Sequence, residues 1–326
     1  MLTVAVGGAT GAQGGATARA LLKAGHRVRA LTRRPDSPAA DTLRNLGADV
    51  RQADFDDQAS LDAALAGADS LFAVTTPFGT DRATQPGADP AVEARQGAGR
   101  AVEARHGAGL ATEVRQGRVL VDAAAAAGLG HIVLTTVAHA DRGTGVPHYE
   151  SKYLVEQHLR GSGVPWTIIA PAAFMDNYAS GWTLDGLRHS TFAWPMPADR
   201  PFALIPAVDI GAFAALVLRQ PGQFVGRRID IASDQRTPAQ LAEILAGVIG
   251  RAIDHQRVPL ARVRQWSGDL AAMFEYFTDV GLDVDVEGLR RDYPEVGWHG
   301  FADWAAAQDW ATLLSATPAS HAPTTS

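Results

Sequence analysis

The first fifteen residues narrow the choice of fold more than any other part of the chain. An apolar run, Thr3-Val4-Ala5-Val6, leads into glycines spaced Gly8-x-x-Gly11-x-x-Gly14, and an alanine-rich segment with helical spacing covers residues 16–24 and stops at Gly25. The run predicts a buried strand. The glycines let the backbone turn sharply and approach a bulky anion with no Cβ in the way, and the helix that follows presents unpaired N–H groups to a diphosphate. Strand, loop and helix in this order predict a dinucleotide site in which Gly8, Thr10, Gly11, Ala12, Gln13 and Gly14 hold the phosphates.

The chain beyond the loop repeats the same alternation. Residues 27–32 (RVRALT) read as a second strand, with Arg33 and Arg34 directly after it. At that strand end an acidic residue accepts from the ribose 2′-hydroxyl of NAD, whereas arginine accommodates the 2′-phosphate of NADP. Arg33 lies about 20 residues past the loop, where that choice is made, and no carboxylate intervenes before Asp36, so NADP(H) is expected over NAD(H). A third strand at 48–52 is followed by Asp54-Phe55-Asp56. Asp54 is expected to accept from the adenine amino group and Phe55 to flank the base, while Asp56 or Asp57 caps a helix over 58–65. A fourth strand at 68–74 ends in Thr75-Thr76-Pro77-Phe78. Ligands in open α/β sheets lie off the carboxyl ends of the strands, so Thr75, Thr76 and Pro77 are expected to line the cofactor trough.

Further strands at 131–136 and 164–170 bring Thr135-Thr136 and Pro171-Ala-Ala-Phe174 to the same end, and Pro171 and Phe174 are expected beside the cofactor. Helices at 38–46, 114–127 and from 147 onward separate these strands. The pattern predicts an α/β fold, a doubly wound parallel (Rossmann) sheet, over residues 1–178. A smaller, mostly α C-terminal portion is expected over 179–310, with 205–232 returning to the sheet and the proline- and aromatic-rich 192–206 bordering the substrate pocket. Within it, Thr237-Pro238 reads as a helix start. Residues 311–326, rich in Ser, Thr, Pro and Ala, are expected to be a disordered tail.

One segment breaks the pattern. Between 91 and 118 three decapeptide copies line up, each with a Glu-x-Arg turn and the first two ending in Gly-Ala-Gly. Glycine costs about 1 kcal/mol in a helix interior, and one valine per ten residues is too sparse for a core-facing stripe. The insertion at 79–117 is therefore expected to be a mobile or weakly helical surface excursion with no catalytic role.

Composition removes several function classes. A net charge of −6 argues against a direct nucleic-acid surface, and the absence of cysteine removes disulfides, thiolate metal sites and a cysteine nucleophile. The histidines show no ligand spacing, so no metal site is expected. There is no secretory signal and no apolar run long enough to span a bilayer, so a soluble, cytoplasmic protein without membrane association is expected.

The glycine loop, Arg29-Ala-Leu-Thr-Arg33, His148-Tyr149-Glu150-Ser151-Lys152 opening a helix, and Trp166-Thr-Ile-Ile-Ala-Pro-Ala-Ala-Phe-Met-Asp-Asn177 together resemble the NmrA-like family of atypical short-chain dehydrogenase/reductases. The resemblance covers roughly 1–78 and 111–310. It implies NADP(H) bound across the strand ends and a small-molecule substrate held by the C-terminal portion. Related reductases use Tyr-x-x-x-Lys, in which the phenol donates a proton and the lysine lowers its pKa and holds the nicotinamide ribose. Here Tyr149 and Lys152 are one residue too close for that motif. Lys152 matches the family's lysine. Tyr149 and His148 are candidate proton donors, and Thr136 is a candidate carbonyl binder. Two functions fit: an oxidoreductase reducing a carbonyl, quinone or activated alkene, or a non-catalytic NADP(H) sensor acting through a regulatory protein partner, with a homodimer open in either case.

Overall fold

The computed structural model describes residues 1–76 and 99–315, with the side chains of 99–106 left outside the description. The chain forms twelve described strands: β1 (Thr3–Val6), β2 (Arg27–Thr32), β3 (Asp49–Gln52), β4 (Ser70–Val74), β5 (His131–Thr135), β6 (Trp166–Pro171), β7 (Ala173–Phe174), β8 (Thr191–Trp194), β9 (Phe202–Ile205), β10 (Arg228–Ile231), β11 (Asp234–Arg236) and β12 (Asp254–Arg257). Seven of them make one parallel sheet in the order β10-β6-β5-β4-β1-β2-β3. Val4 faces Val28 on one side and Ser70 on the other. The strand order therefore reverses between β1 and β4, and the glycine loop leaves β1 at this switch point, where doubly wound sheets bind ligands.

Helices α1 (Ala12–Lys23), α2 (Pro38–Asn45), α3 (Gln58–Leu65), α4 (Gly99–Ala126) and α5 (Pro147–Gly161) fill the crossovers. Their starts are written locally. Ser37 accepts from the Ala40 N–H with Pro38 in the first turn of α2, and Asp57, rather than Asp56, caps α3 by accepting from Ala59 and Ser60. One face of the sheet is covered by α3, α4 and α5, which bury Leu61, Leu65, Leu120, Val121, Val155 and Leu159 against Leu71, Ile132 and Ile168. Each such side chain taken out of water contributes about 1.5–3 kcal/mol.

The opposite face belongs to α1 and to a helix from late in the chain. After α6 (Gly181–Arg188), α7 (Ala207–Arg219) packs so closely on α1 that a Cβ on Gly211 would fall 2.5 Å from the Ala16 carbonyl carbon. The short α8 (Pro221–Phe224) then leads into β10. The remainder is built on two small sheets, β11-β9-β7 and β12-β8. Around them lie α9 (Pro238–Ile249), opened by a Thr237/Gln240 capping box, then α10 (Leu260–Trp266), α11 (Gly268–Asp279), α12 (Val286–Asp292), α13 (Phe301–Ala306) and α14 (Trp310–Ser315). The α10–α11 pair reaches back to the larger sheet, α10 packing on α4 and α11 on α5.

Three expectations need correction. The decapeptide segment is no loose excursion where it is described: α4 begins at Gly99, so the second and third copies lie inside a helix of 28 residues. Burial of Leu120, Val121, Ala123 and Ala124 in its C-terminal half anchors the helix and offsets the cost of its glycines. Residues 192–206 are core rather than pocket border, since Phe192, Trp194, Met196 and Phe202 are buried and Trp194 stacks on Phe192 and Trp182. Residues 311–315, expected in the tail, belong to α14, which is anchored by buried Trp310 donating its indole N–H to the Ala305 carbonyl at 2.7 Å.

Candidate cofactor and active site

The loop after β1 is held by its own backbone. The Gly7 N–H donates to the Phe72 carbonyl of β4 at 2.8 Å, Ala9 to the Leu31 carbonyl of β2 at 3.3 Å, and Gly11 to Gly8 at 2.9 Å. Gly8 has φ +59°, and a Cβ on Gly14 would lie 2.3 Å from the Gly8 carbonyl oxygen. Only glycine closes this turn. Gly11 is the N-cap of α1 and offers no side chain, so the first N–H groups of the helix point outward with the positive end of the helix dipole. That is the chemistry a diphosphate requires, and Gly8, Gly11, Ala12 and Gly14 fit it.

The flanking residues divide between the two ends of the trough. Beyond β2, Arg33 is exposed, and Thr10 and Thr32 lie hydroxyl to hydroxyl at 3.5 Å. The Phe55 ring lies over the loop, 3.5 Å from where a Gly7 Cβ would stand. Asp54 accepts from the Asp56 N–H at 3.0 Å, so one carboxylate oxygen shapes its own turn. Asp56 is claimed by α4. Arg115 and Gln116 both donate to it, and the Arg115 hydrogen bond, helped by Gln116 and the charge of Arg33, holds its carboxyl below the usual range. At the other end, Gln13 accepts from the Thr135 hydroxyl at 2.7 Å and ties α1 to the end of β5. The Pro171 carbonyl accepts from Ala138 at 2.9 Å, and Phe174 is half-buried in β7. Pro77 lies outside the described residues.

Lys152 lies on the first turns of α5 with its side chain 12% exposed. Its ammonium donates to Glu113 Oε1 at 2.7 Å and to the Thr75 carbonyl at 3.2 Å. Glu113 is completely buried and accepts twice more, from the Thr75 hydroxyl at 2.9 Å and from the Ser151 hydroxyl at 2.6 Å. The sequence reading missed Glu113, because it falls in the third decapeptide. A signal was present. Extending the buried stripe of Leu120 and Ala124 backwards by helical steps passes through Gly117 and reaches Glu113.

The other candidates face elsewhere. Thr136 donates to buried Glu156 at 2.8 Å, on the α5 side of the sheet. Burial pushes the Glu156 carboxyl up, against the opposing pull of Arg228 and of Thr136. The His148 ring nitrogen and backbone N–H both meet Asp269 of α11, at 2.8 and 3.0 Å. Tyr149 is 1% exposed, edge-on to His148 at 4.8 Å and to Tyr276 at 6.4 Å. Burial, with the Tyr276, Asp269 and Asp230 charges adding to it, drives its phenol far above the ordinary tyrosine range. That is the opposite of the tuning a Tyr–Lys couple needs. His139, also buried, has φ 68° and is held by the Asp283 carbonyl at 2.7 Å and the Tyr276 hydroxyl at 3.0 Å. A cavity of about 430 Å³ opens at the β10 edge among Arg142, Asp230, Asp283 and Tyr293, and none of the candidate residues lines it.

Comparison with known proteins identifies the family and the fold. A family model described as the NmrA-like family matches residues 2–309. The (4-alkanoyl-5-oxo-2,5-dihydrofuran-3-yl)methyl phosphate reductase of Streptomyces griseus is 32% identical over 97% of this chain and 90% of its own length. Quinone oxidoreductase 2 of Escherichia coli is 27% identical over 78% of this chain and 77% of its own. Among solved structures, an NADPH-dependent quinone oxidoreductase of Escherichia coli complexed with NADPH has a TM-score of 0.69 at 23% identity, covering 94% of this chain and 99% of that one. The negative transcriptional regulator NmrA in complex with NAD has a TM-score of 0.71 at 19% identity, covering 95% and 99%. At those identities the structures share the fold with this chain. The family match spans nearly the whole chain and a relative above 30% identity runs along almost all of it, so this chain is a member of the NmrA-like family.

Proposed function

We propose that this protein is an NADP(H)-dependent reductase of conjugated acceptors, quinones or alkenes activated by neighbouring carbonyls. The observation that carries the reading is the split between Lys152, an ammonium held beside the Thr75 strand end, and Tyr149 and His148, both locked in the interior. When bound, NADPH supplies hydride. The glycine loop and the N-terminus of α1 would hold its diphosphate, Phe55 its adenine, and Arg33 its 2′-phosphate, with no carboxylate at that strand end to prefer NAD.

The acceptor class follows from what the chain offers in return. A simple ketone turns into a basic alkoxide and relies on a proton donated in the same step, a contribution of about 100-fold or more. A buried phenol pushed far above its usual range gives that proton poorly. A quinone, or an alkene flanked by carbonyls, instead spreads the new charge over its oxygens, and an ammonium can stabilise it without transferring a proton. The names of the relatives agree in kind: one is a quinone oxidoreductase, and the substrate named for the other carries a ring alkene flanked by two carbonyls. A second reading, an NADP(H)-binding regulator acting through a protein partner, draws on the same buried Tyr149. Among the described residues no helix is long and apolar enough to cross a membrane.

The test is NADPH consumption by the purified protein with matched acceptors. We expect kcat/KM for quinones or acyl-substituted unsaturated lactones to exceed that for plain aldehydes and ketones by about 100-fold or more. Tight NADP(H) binding with no turnover of any acceptor would overturn the reductase and leave the regulator.

A further inference from the structure

We propose that Glu113 is the positioning residue for Lys152, so that the helix bearing the decapeptides forms part of the active-site wall. The proposal rests on the reading of Lys152 as a trough residue. A carboxylate with no solvent exposure has to be fully partnered, and Glu113 is: Lys152 at 2.7 Å, Thr75 at 2.9 Å and Ser151 at 2.6 Å. These contacts join three elements, the end of β4, the start of α5 and the middle of α4. An ammonium has three protons to donate. Glu113 and the Thr75 carbonyl take two of them, which fixes the direction of the third.

The approach of the helices is built for this contact. One turn beyond Glu113, a Cβ on Gly117 would lie 2.6 Å from Val155 Cγ2 of α5 and 3.2 Å from Thr75 Cγ2. Glycine at that place lets α4 come close enough for the Glu113 carboxylate to reach Lys152. The choice of cation points the same way. The chain has 29 Lys and Arg residues, and only Lys23 and Lys152 are lysine. A guanidinium at 152 would offer Glu113 a planar fork and lose the single free donor direction that an ammonium keeps.

The experiment compares Glu113→Gln, Glu113→Asp, Lys152→Met and the Glu113→Gln/Lys152→Met double variant in the full-length protein. Lys152 acylation by acetic anhydride at pH 8 is followed by mass spectrometry, with exposed Lys23 as the internal standard. We expect Glu113→Gln to bind NADPH within about threefold of the parent and to lose about tenfold or more in kcat with little change in KM. The same substitution should change kcat by less than about twofold when Lys152 is already methionine. Labelling of Lys152 relative to Lys23 should rise several-fold in Glu113→Gln, because the amine is no longer held against a buried carboxylate, and fall back in Glu113→Asp. Unchanged labelling in Glu113→Gln, or an equal loss of kcat in both backgrounds, would overturn the proposal. Should the parent turn over no acceptor, the reductase reading fails, while the labelling result still decides the role of Glu113.

Discussion

The glycine loop and helix α4 shape the same candidate trough by opposite means. The loop acts with backbone alone: N–H groups, a left-handed Gly8 and a Gly14 whose Cβ would strike its own turn. Helix α4 acts with side chains, Glu113 toward Lys152 and Arg115 and Gln116 toward Asp56. Three residues within a four-residue stretch of the third decapeptide thus reach both Asp56, at the candidate adenosine end, and the strand-end lysine. A backbone device leaves glycines at fixed spacing. A side-chain device leaves letters that gain meaning only from partners far along the chain.

The comparison can be broken most decisively at the buried pair. Lys152→Met leaves the Glu113 carboxylate buried without its cation, and thermal or denaturant unfolding should show a loss of about 3–5 kcal/mol. Adding Glu113→Gln should restore most of it. If the single variant is as stable as the parent, the pair is not the anchor described here.

Acid probes the sheet beneath both regions. His131 of β5 is buried, its Nε2 next to the Thr167 hydroxyl at 2.9 Å, which itself donates to the Phe224 carbonyl, while Nδ1 has no partner among the described residues. Burial lowers its pKa from 6.5 to about 4. The unfolded chain therefore takes up a proton between those values while the folded one resists it. Stability should fall as pH drops from 6.5 to about 4, by about 3 kcal/mol in all. A His131→Leu variant should lose that part of the slope, and an unchanged slope would contradict the assignment.

On the loop side, Gly14→Val should weaken NADPH by about 100-fold, or about 2.7 kcal/mol, measured by titration. Undiminished binding would remove the loop from the phosphate site. The smallest effect belongs to deletion of residues 91–110, which removes two decapeptides but keeps Glu113, Arg115, Gln116 and Gly117. NADPH affinity should stay within about twofold, and its loss would show that the earlier copies also take part.

This contrast accounts for what the sequence discloses. Short apolar runs, the loop glycines and the Asp57 and Thr237-Pro238 helix starts are local signals, and each appears in the fold where the residues point. Lys152 could be singled out because it opens a helix in a recognisable segment. Its partner could not, since Glu93, Glu103 and Glu113 stand in equivalent places in the repeats. Burial of Tyr149 and His148 is equally hidden, because Tyr276 and Asp269 come from α11, more than 100 residues later. Trp194 looked like a pocket residue for a related reason: aromatic composition marks burial without saying whether a ligand or the core covers it.

The proposed function depends on the loop and Arg33 together receiving NADP(H). Titration of the full-length protein with NADPH and NADH, followed by the fluorescence of the reduced nicotinamide, tests it directly. NADPH should bind more tightly than NADH by about tenfold or more, with Arg33→Asp erasing the difference. Equal or tighter binding of NADH by the parent protein, or no binding of either, would contradict it.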